Sequence, residues 1–290
     1  MANTIRLIPR LDIKGPNLVK GIHLEGLRVL GKPEDFARFY YQSGADELLY
    51  MDVVASLYGR NSLDEIIART SQEIFIPLTV GGGIRTLQDI QRILRAGADK
   101  VSLNTAAIAN PGFIKEASRE FGSSTIVISI EAIKLEGGYE AFTDNGREST
   151  GVNALEWAKQ VEDLGAGEIL VTSIDREGTG QGYELELTKK IAESVSIPVI
   201  ACGGAGCIDD IYTVIAQGRA DAVSFASILH YHFIKTQEVK DDFLDEGNIE
   251  FLKSRQGFKK IKETSLKEIK AYLHERNISC RYQETSVPHG

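Results

Sequence analysis

The 290-residue sequence predicts a (β/α)8 barrel built from two duplicated half-barrels. Three observations favour this fold: eight short apolar runs, helical patterns between them, and an internal repeat. Strands of a parallel sheet are buried on both faces, which explains why several runs are apolar almost throughout. In chain order, the predicted strands are Ile5–Leu11, Glu47–Asp52, Ile76–Val80, Lys100–Leu103, Ile126–Ile130, Glu168–Thr172, Pro198–Ala201 and Ala222–Phe225.

The internal repeat relates the two halves of the chain at an offset of about 121 residues. Its three matched pairs are Gly44–Leu49 with Gly165–Leu170, Ile76–Gly83 with Ile197–Gly204, and Gly97–Ser102 with Arg219–Ser224. We therefore expect a single domain over residues 1–282, with half-barrels at about 1–122 and 123–282. A flexible tail is expected at 283–290.

A charged segment, residues 235–264, interrupts the repeat after the eighth strand. We interpret it as an insertion in the last strand-to-helix connection, at the face where such barrels keep their active sites. A solvated helical decoration is the alternative. The last helix is expected to open at Ser265 with an S-x-x-E capping box and to bury Leu266, Ile269 and Leu273.

Composition limits the classes of function. Lys and Arg number 33 against 41 Asp and Glu, a formal net charge of −8 that argues against a non-specific nucleic-acid binder. The three cysteines are too few and too scattered for a disulfide framework or a metal site, which suggests a reducing cytoplasm. Neither a signal peptide nor a membrane span is expected. No metal and no cofactor are implied.

Two carboxylates occupy the predicted barrel mouth. Asp12 follows the first strand and Glu131 follows the fifth, and the repeat places these strands opposite each other. Two such groups can divide general-acid and general-base work if their environments separate their pKa values. The alternative is that each pairs with a neighbouring lysine, Lys14 or Lys134.

Two glycine-rich loops follow the third and seventh strands, and each shares its site with the next strand end. Glycine lets a backbone approach a phosphate closely, and helix N-termini supply free N–H groups. Each loop alone could be only a tight turn, but the pair predicts a slot for an elongated bisphosphate. The residues concerned are Gly82, Gly83, Asn104 and Thr105 in the first half, and Gly203, Gly204, Ala226 and Ser227 in the second.

Four charged residues lie at the opposite ends of strands: Arg6, Glu47, Lys100 and Glu168. Buried charges are costly unless paired, so two acids and two bases form a self-consistent ring. From their position alone, these four residues are expected to form a structural plug at the bottom of the barrel.

Several motifs together resemble the cyclase subunit family of imidazole glycerol phosphate synthase, HisF. The resemblance runs from about residue 5 to residue 227 and resumes in the last helix. The motifs that carry it are Leu11–Lys14, Val19–Gly21, Val80–Ile84, Gly97–Ser102, Asn104–Ala107, Gly165–Leu170, Thr172–Thr179 and Gly203–Gly206.

The resemblance implies an activity and its substrate. Ammonia attacks a bisphosphorylated aminoimidazole carboxamide ribulotide, which gives imidazole glycerol phosphate and the corresponding ribotide. Asp12 and Glu131 are then the catalytic pair, with glutamate at 131 where the family normally has aspartate. Further departures are Glu177, Cys202 and the charged insertion. Lys20, Thr172, Glu177 and Gly178 join the glycine loops in binding substrate.

The resemblance also implies a partner. A glutaminase subunit docks at the N-terminal face of the barrel and supplies ammonia, so the charged ring becomes the ammonia gate and Asp99 a docking residue. A second interpretation is a HisF-like ammonia conduit between a glutaminase and an amidotransferase that modifies a surface-polysaccharide sugar. Glu131 and the insertion motivate it, and it predicts that a third enzyme binds residues 235–264.

Overall fold

Eight parallel strands pair edge to edge and close into a barrel in a computed structural model that describes residues 4–55, 63–237 and 261–282. The ring closes because the strand at Ile126–Leu135 pairs with the one at Glu168–Ser173, and the first strand pairs with the last. This confirms the predicted (β/α)8 barrel. Around the ring, the strands are β1 (Arg6–Lys14), β4 (Leu48–Asp52), β5 (Leu78–Gly81), β6 (Lys100–Leu103), β7 (Ile126–Leu135), β10 (Glu168–Ser173), β11 (Val199–Cys202) and β12 (Ala222–Phe225).

Helices follow the barrel strands and cover the outside of the sheet. Side-chain caps mark several starts: Thr86 and Asp89 form a capping box, and Asn153 accepts from the Leu155 and Glu156 amides. The helices are α1 (Pro33–Gln42), α2 (Asp64–Ser71), α3 (Leu87–Ala96), α4 (Thr105–Ala109), α5 (Gly112–Phe121), α6 (Ala154–Asp163), α7 (Leu185–Ala192), α8 (Ile208–Ala216), α9 (Ser227–Thr236) and α10 (Leu266–Glu275).

Each half of the barrel carries a β-hairpin that the sequence analysis did not anticipate. Strands β2 (Asn17–Ile22) and β3 (Glu25–Gly31) follow β1, whereas β8 (Gly138–Thr143) and β9 (Glu148–Asn153) follow β7. The predicted ends of the first and fifth strands, Leu11 and Ile130, are therefore wrong. Both strands continue beyond the barrel because antiparallel partners satisfy their backbone groups there.

Several predicted strand starts shift by one or two residues. The second, third and seventh strands begin at Leu48, Leu78 and Val199, and Pro77 and Pro198 stay outside because proline has no N–H to donate to the ladder. Ile5 also lies outside β1, where it forms an isolated bridge with Cys280.

Side chains alternate between two buried layers. On β1, Leu7, Leu11 and Ile13 pack in the large core between sheet and helices, whereas Ile8 belongs to a smaller cluster inside the barrel. That inner cluster also contains Leu49, Val127, Leu170 and Ile200. Because side chains alternate with a period of two, Arg6, Arg10 and Asp12 share the inward face of β1 with Ile8.

The last helix forms as the sequence indicates. Ser265 and Glu268 make the capping box, and Leu266, Ile269 and Leu273 are buried. Of the charged segment 235–264, residues 238–260 lie outside the described residues, as does the tail at 283–290. The described flanks return to the barrel, where the Lys262 amide donates to the Gly206 carbonyl at 2.7 Å. In the described ranges, every helix is too short or too polar to cross a membrane.

Candidate active site

The two predicted carboxylates lie where β1 and β7 leave the barrel and enter their hairpins. Asp12 pairs in register with Val19 of β2, and Glu131 pairs with Phe142 of β8. Both side chains are buried. The half-barrel repeat therefore delivers equivalent carboxylates to the C-terminal face, but their surroundings differ.

Asp12 lies in a buried cluster of two cations and two carboxylates. The Arg10 Nε donates to Asp12 Oδ1 at 2.7 Å, and Lys20 Nζ lies 3.8 Å from Asp12 Oδ2. Lys20 also donates to Glu177. Burial alone would raise the pKa of Asp12, but Arg10 and Lys20 outweigh it and hold that pKa below its usual value. Asp12 is thus ionised at neutral pH.

Glu131 has the opposite environment. Burial raises its pKa to about 7, against the weaker lowering effect of Arg10 and the Gly146 amide. Within the described residues, its Oε2 has no hydrogen-bond partner. A carboxyl group of this kind is about half protonated near pH 7 and is suited to transfer a proton.

The two hairpins are joined to each other and to the loop after β10 at the mouth of the barrel. The His23 amide donates to the Glu177 carbonyl at 2.9 Å, which joins the first hairpin to the loop after β10. Asn145 Nδ2 donates to the Leu24 carbonyl at 3.3 Å, which joins the two hairpins to each other. The second hairpin, whose Phe142 and Gly146 lie beside Glu131, is therefore held by a contact between segments far apart in sequence.

The first predicted phosphate pocket is an open cavity of about 330 Å³. Gly82, Gly83, Asn104 and Thr105 line it together with Glu131. A side chain at Gly82, where φ is +101°, would place its Cβ 2.3 Å from the Asp52 carbonyl oxygen. The loop therefore requires glycine at this position.

The second predicted pocket is much smaller, at about 10 Å³. It is lined by the predicted residues Glu177, Gly178, Gly203, Gly204, Ala226 and Ser227, and also by Arg10 and Cys202. A Cβ at Gly204, where φ is +111°, would lie 2.1 Å from the Gly182 carbonyl oxygen, so this loop also needs glycine. Thr172 is buried beside this region, paired in register with Glu131 on one side and Cys202 on the other.

The four charged residues at the other end of the barrel form a closed ring. Arg6 Nη1 lies 2.6 Å from Glu47 and 3.1 Å from Glu168. Lys100 Nζ completes the ring at 3.2 Å from Glu47 and 2.8 Å from Glu168. Each cation contacts both carboxylates, so the ring is fully paired.

Asp99 is exposed at the same end, and its carboxylate accepts from the Leu78 amide at 2.8 Å. Asp46 and Asp221 make the same contact with the Leu7 and Val199 amides. An Ala-Asp pair thus recurs before β4, β6 and β12, and its aspartate accepts from a backbone amide of the neighbouring strand. The recurrence in the sequence could have indicated this structural role.

In the described part of the chain, neither Lys14 nor Lys134, the two lysines considered as alternatives, pairs with Asp12 or Glu131. Lys134 pairs with Glu186 at 2.8 Å instead, and Asp12 pairs with Arg10 and Lys20. Sequence reasoning missed Arg10, although a period of two counted back from Asp12 places it on the same strand face. Among the described residues, no group of three or more His, Cys, Asp or Glu side chains is arranged to hold a metal ion.

Comparison with known proteins identifies the family of this chain. A family model described as histidine biosynthesis protein matches residues 6–235. The chain is 58% identical over 209 residues to imidazole glycerol phosphate synthase subunit HisF of Legionella pneumophila, covering 72% of this chain and 99% of that protein.

Two further relatives carry the same name. Subunit HisF of Methanocaldococcus jannaschii is 47% identical over 264 residues, 84% of this chain and 97% of that protein. The Prochlorococcus marinus subunit is 49% identical over 245 residues, 83% and 96% of the two chains. Matches of this extent confirm the resemblance seen in the sequence motifs, and the chain belongs to the HisF family of histidine biosynthesis proteins.

Proposed function

We propose that this chain is the ammonia-dependent cyclase subunit of imidazole glycerol phosphate synthase. It would convert the bisphosphorylated aminoimidazole carboxamide ribulotide to imidazole glycerol phosphate and aminoimidazole carboxamide ribotide. The observation that carries the proposal is the pair Asp12 and Glu131, two buried carboxylates at one barrel mouth with pKa values displaced in opposite directions.

The two carboxylates have different tasks in this proposal. Glu131 exchanges a proton with the substrate, because both of its protonation states are populated near pH 7. Asp12 stays ionised and stabilises the positive charge that develops on the nitrogen when ammonia attacks. Arg10 and Lys20 hold its carboxylate in place.

The two glycine loops support a substrate with a phosphate at each end. The first pocket has room for a ligand and includes Glu131 in its lining, so a phosphate bound there leaves the sugar close to the proposed acid–base group. The second loop is its equivalent in the other half-barrel. Backbone amides bind these phosphates, which is compatible with the acidic net charge of the chain.

The other face of the barrel supports a glutaminase partner. The ring of Arg6, Glu47, Lys100 and Glu168 closes the N-terminal end of an interior lined by apolar side chains such as Ile8 and Leu170. We infer that the glutaminase docks over this ring, near Asp99, and that neutral ammonia passes through it. A third enzyme at residues 235–264 belongs to the alternative conduit function, which no contact in the described part of the chain favours.

Turnover with ammonium tests the proposal without the partner. The purified chain, given an ammonium salt and the ribulotide, should form imidazole glycerol phosphate. Glu131→Gln should lower the rate at least about 100-fold, since it removes the proton donor and acceptor. Glu136→Gln, at an exposed carboxylate in the turn between β7 and β8, is the matched control and should keep the wild-type rate. Absence of product from a folded sample would overturn the cyclase assignment and favour the conduit.

A further inference from the structure

We propose that Arg10 is a phosphate ligand of the second pocket, and that it determines the affinity of this pocket for the substrate's second phosphate. The inference deepens the cyclase function and rests on it. It starts from the position of Arg10, whose side chain points into the barrel from β1 and is only 1% exposed.

The guanidinium of Arg10 is incompletely paired. Its Nε donates to Asp12 at 2.7 Å, and its Nη1 donates to Cys202 Sγ, a weak acceptor, at 3.5 Å. Its Nη2 is buried and has no hydrogen-bond partner in the described part of the chain. A buried donor without a partner costs free energy, so a group that accepts from Nη2 binds with a corresponding gain.

The position of the guanidinium identifies the missing acceptor. Arg10 lines the second pocket together with Gly203, Gly204 and Ser227, the predicted phosphate-binding loop and the first residue of α9. A guanidinium beside a cradle of backbone amides matches the geometry of phosphate, which accepts charge-assisted hydrogen bonds from both.

Charge balance supports the same role. Arg10 and Lys20 neutralise the two carboxylates of the cluster, Asp12 and Glu177. Without Arg10, one cation would face two buried carboxylates before any phosphate arrived, and the pocket would repel an anion. Because the cavity measures only about 10 Å³, a phosphate enters as the Glu177 side chain moves aside, while Arg10 keeps its hydrogen bond to Asp12.

The equivalent residues of the other half-barrel provide an internal reference. The first pocket is lined by Gly83 and does not include Arg10. The amide signals of Gly83 and Gly204 in an ¹⁵N-labelled sample therefore report the two pockets separately. Inorganic phosphate is the probe, titrated into the full chain at constant ionic strength and pH 7.5.

We expect both signals to shift with saturation in the wild-type protein. In Arg10→Met, the Gly204 signal should need at least about tenfold more phosphate, because a charge-assisted hydrogen bond is lost, whereas the Gly83 response stays unchanged and reports an intact fold. Arg10→Met combined with Asp12→Asn restores the charge balance of the cluster, and we expect the Gly204 response to remain weak.

Three results would overturn the role of Arg10. An Arg10→Met protein with the wild-type Gly204 response excludes it as a ligand. A double variant with a restored Gly204 response reduces Arg10 to a counterion of Asp12. A wild-type Gly204 signal that ignores phosphate removes the pocket itself, and turnover with ammonium then decides separately whether the cyclase function stands.

Discussion

The raised pKa of Glu131 predicts that this side chain makes stability depend on pH. Burial places the pKa at about 7 in the folded protein, against an ordinary value of 4.5. The contribution is fully present below pH 4.5 and is lost as the pH rises through 7, because the folded state must then bury a charged carboxylate. The full displacement corresponds to roughly 3 kcal/mol, and the part between pH 5 and pH 9 to roughly 2 to 3 kcal/mol.

Glu131→Gln isolates this contribution because glutamine has a similar shape and does not titrate. Unfolding by guanidinium chloride, measured at pH 5 and pH 9, gives the free energy of unfolding of both proteins. The wild-type value should fall relative to the variant by roughly 2 to 3 kcal/mol between the two pH values. For Glu136→Gln, at an exposed position, the difference from wild type in free energy of unfolding should be the same at both pH values. Parallel pH dependence of wild type and Glu131→Gln, within about 0.5 kcal/mol, would refute a buried carboxyl with a raised pKa.

Three further predictions concern the rest of the molecule. Arg6→Met should lower the free energy of unfolding by about 1 to 3 kcal/mol, because the ring loses a cation that is only 23% exposed. The control Arg38→Met removes a cation that is 44% exposed and should lower it by less than about 1 kcal/mol. Equal losses for the two variants would contradict this ranking. Ser265→Ala should lower the free energy of unfolding by about 1 kcal/mol through loss of the capping box, and an unchanged melting temperature would count against it. Phe75 is 79% exposed at the N-terminal face and contacts Tyr41 edge to face. Phe75→Ala should therefore weaken glutaminase binding about tenfold, measured by calorimetry, with little change in melting temperature. Binding of wild-type strength would place the partner elsewhere.

The barrel and the positions of the two carboxylates were predictable because periodicity and duplication are properties of the sequence itself. The hairpins were missed, although Gly15-Pro16-Asn17 and Asp144-Asn145-Gly146 are turn signals of the kind that join antiparallel strands. The second hairpin bears on the chemistry, because its Phe142 pairs with Glu131 and its Gly146 amide lies beside the Glu131 carboxyl.

The different surroundings of Asp12 and Glu131, and the opposite displacement of their pKa values, could not be predicted from the sequence. Both depend on contacts that join distant segments, such as Asn145 with Leu24 and Lys20 with Glu177. The repeat predicted similar surroundings for the two carboxylates. Side chains that differ between the two halves instead place a paired ion cluster in one half of the barrel mouth and an open pocket in the other.

The pH dependence of ammonium-driven turnover measures the proposed roles most directly. The rate of imidazole glycerol phosphate formation is followed between pH 5.5 and 9, with saturating ribulotide and a constant concentration of free ammonia. We expect a change of slope near pH 7 that reports Glu131 and that Glu131→Gln abolishes together with most of the rate. Product formation with no inflection near pH 7, or equal rates for the two proteins, would contradict the division of work between Asp12 and Glu131.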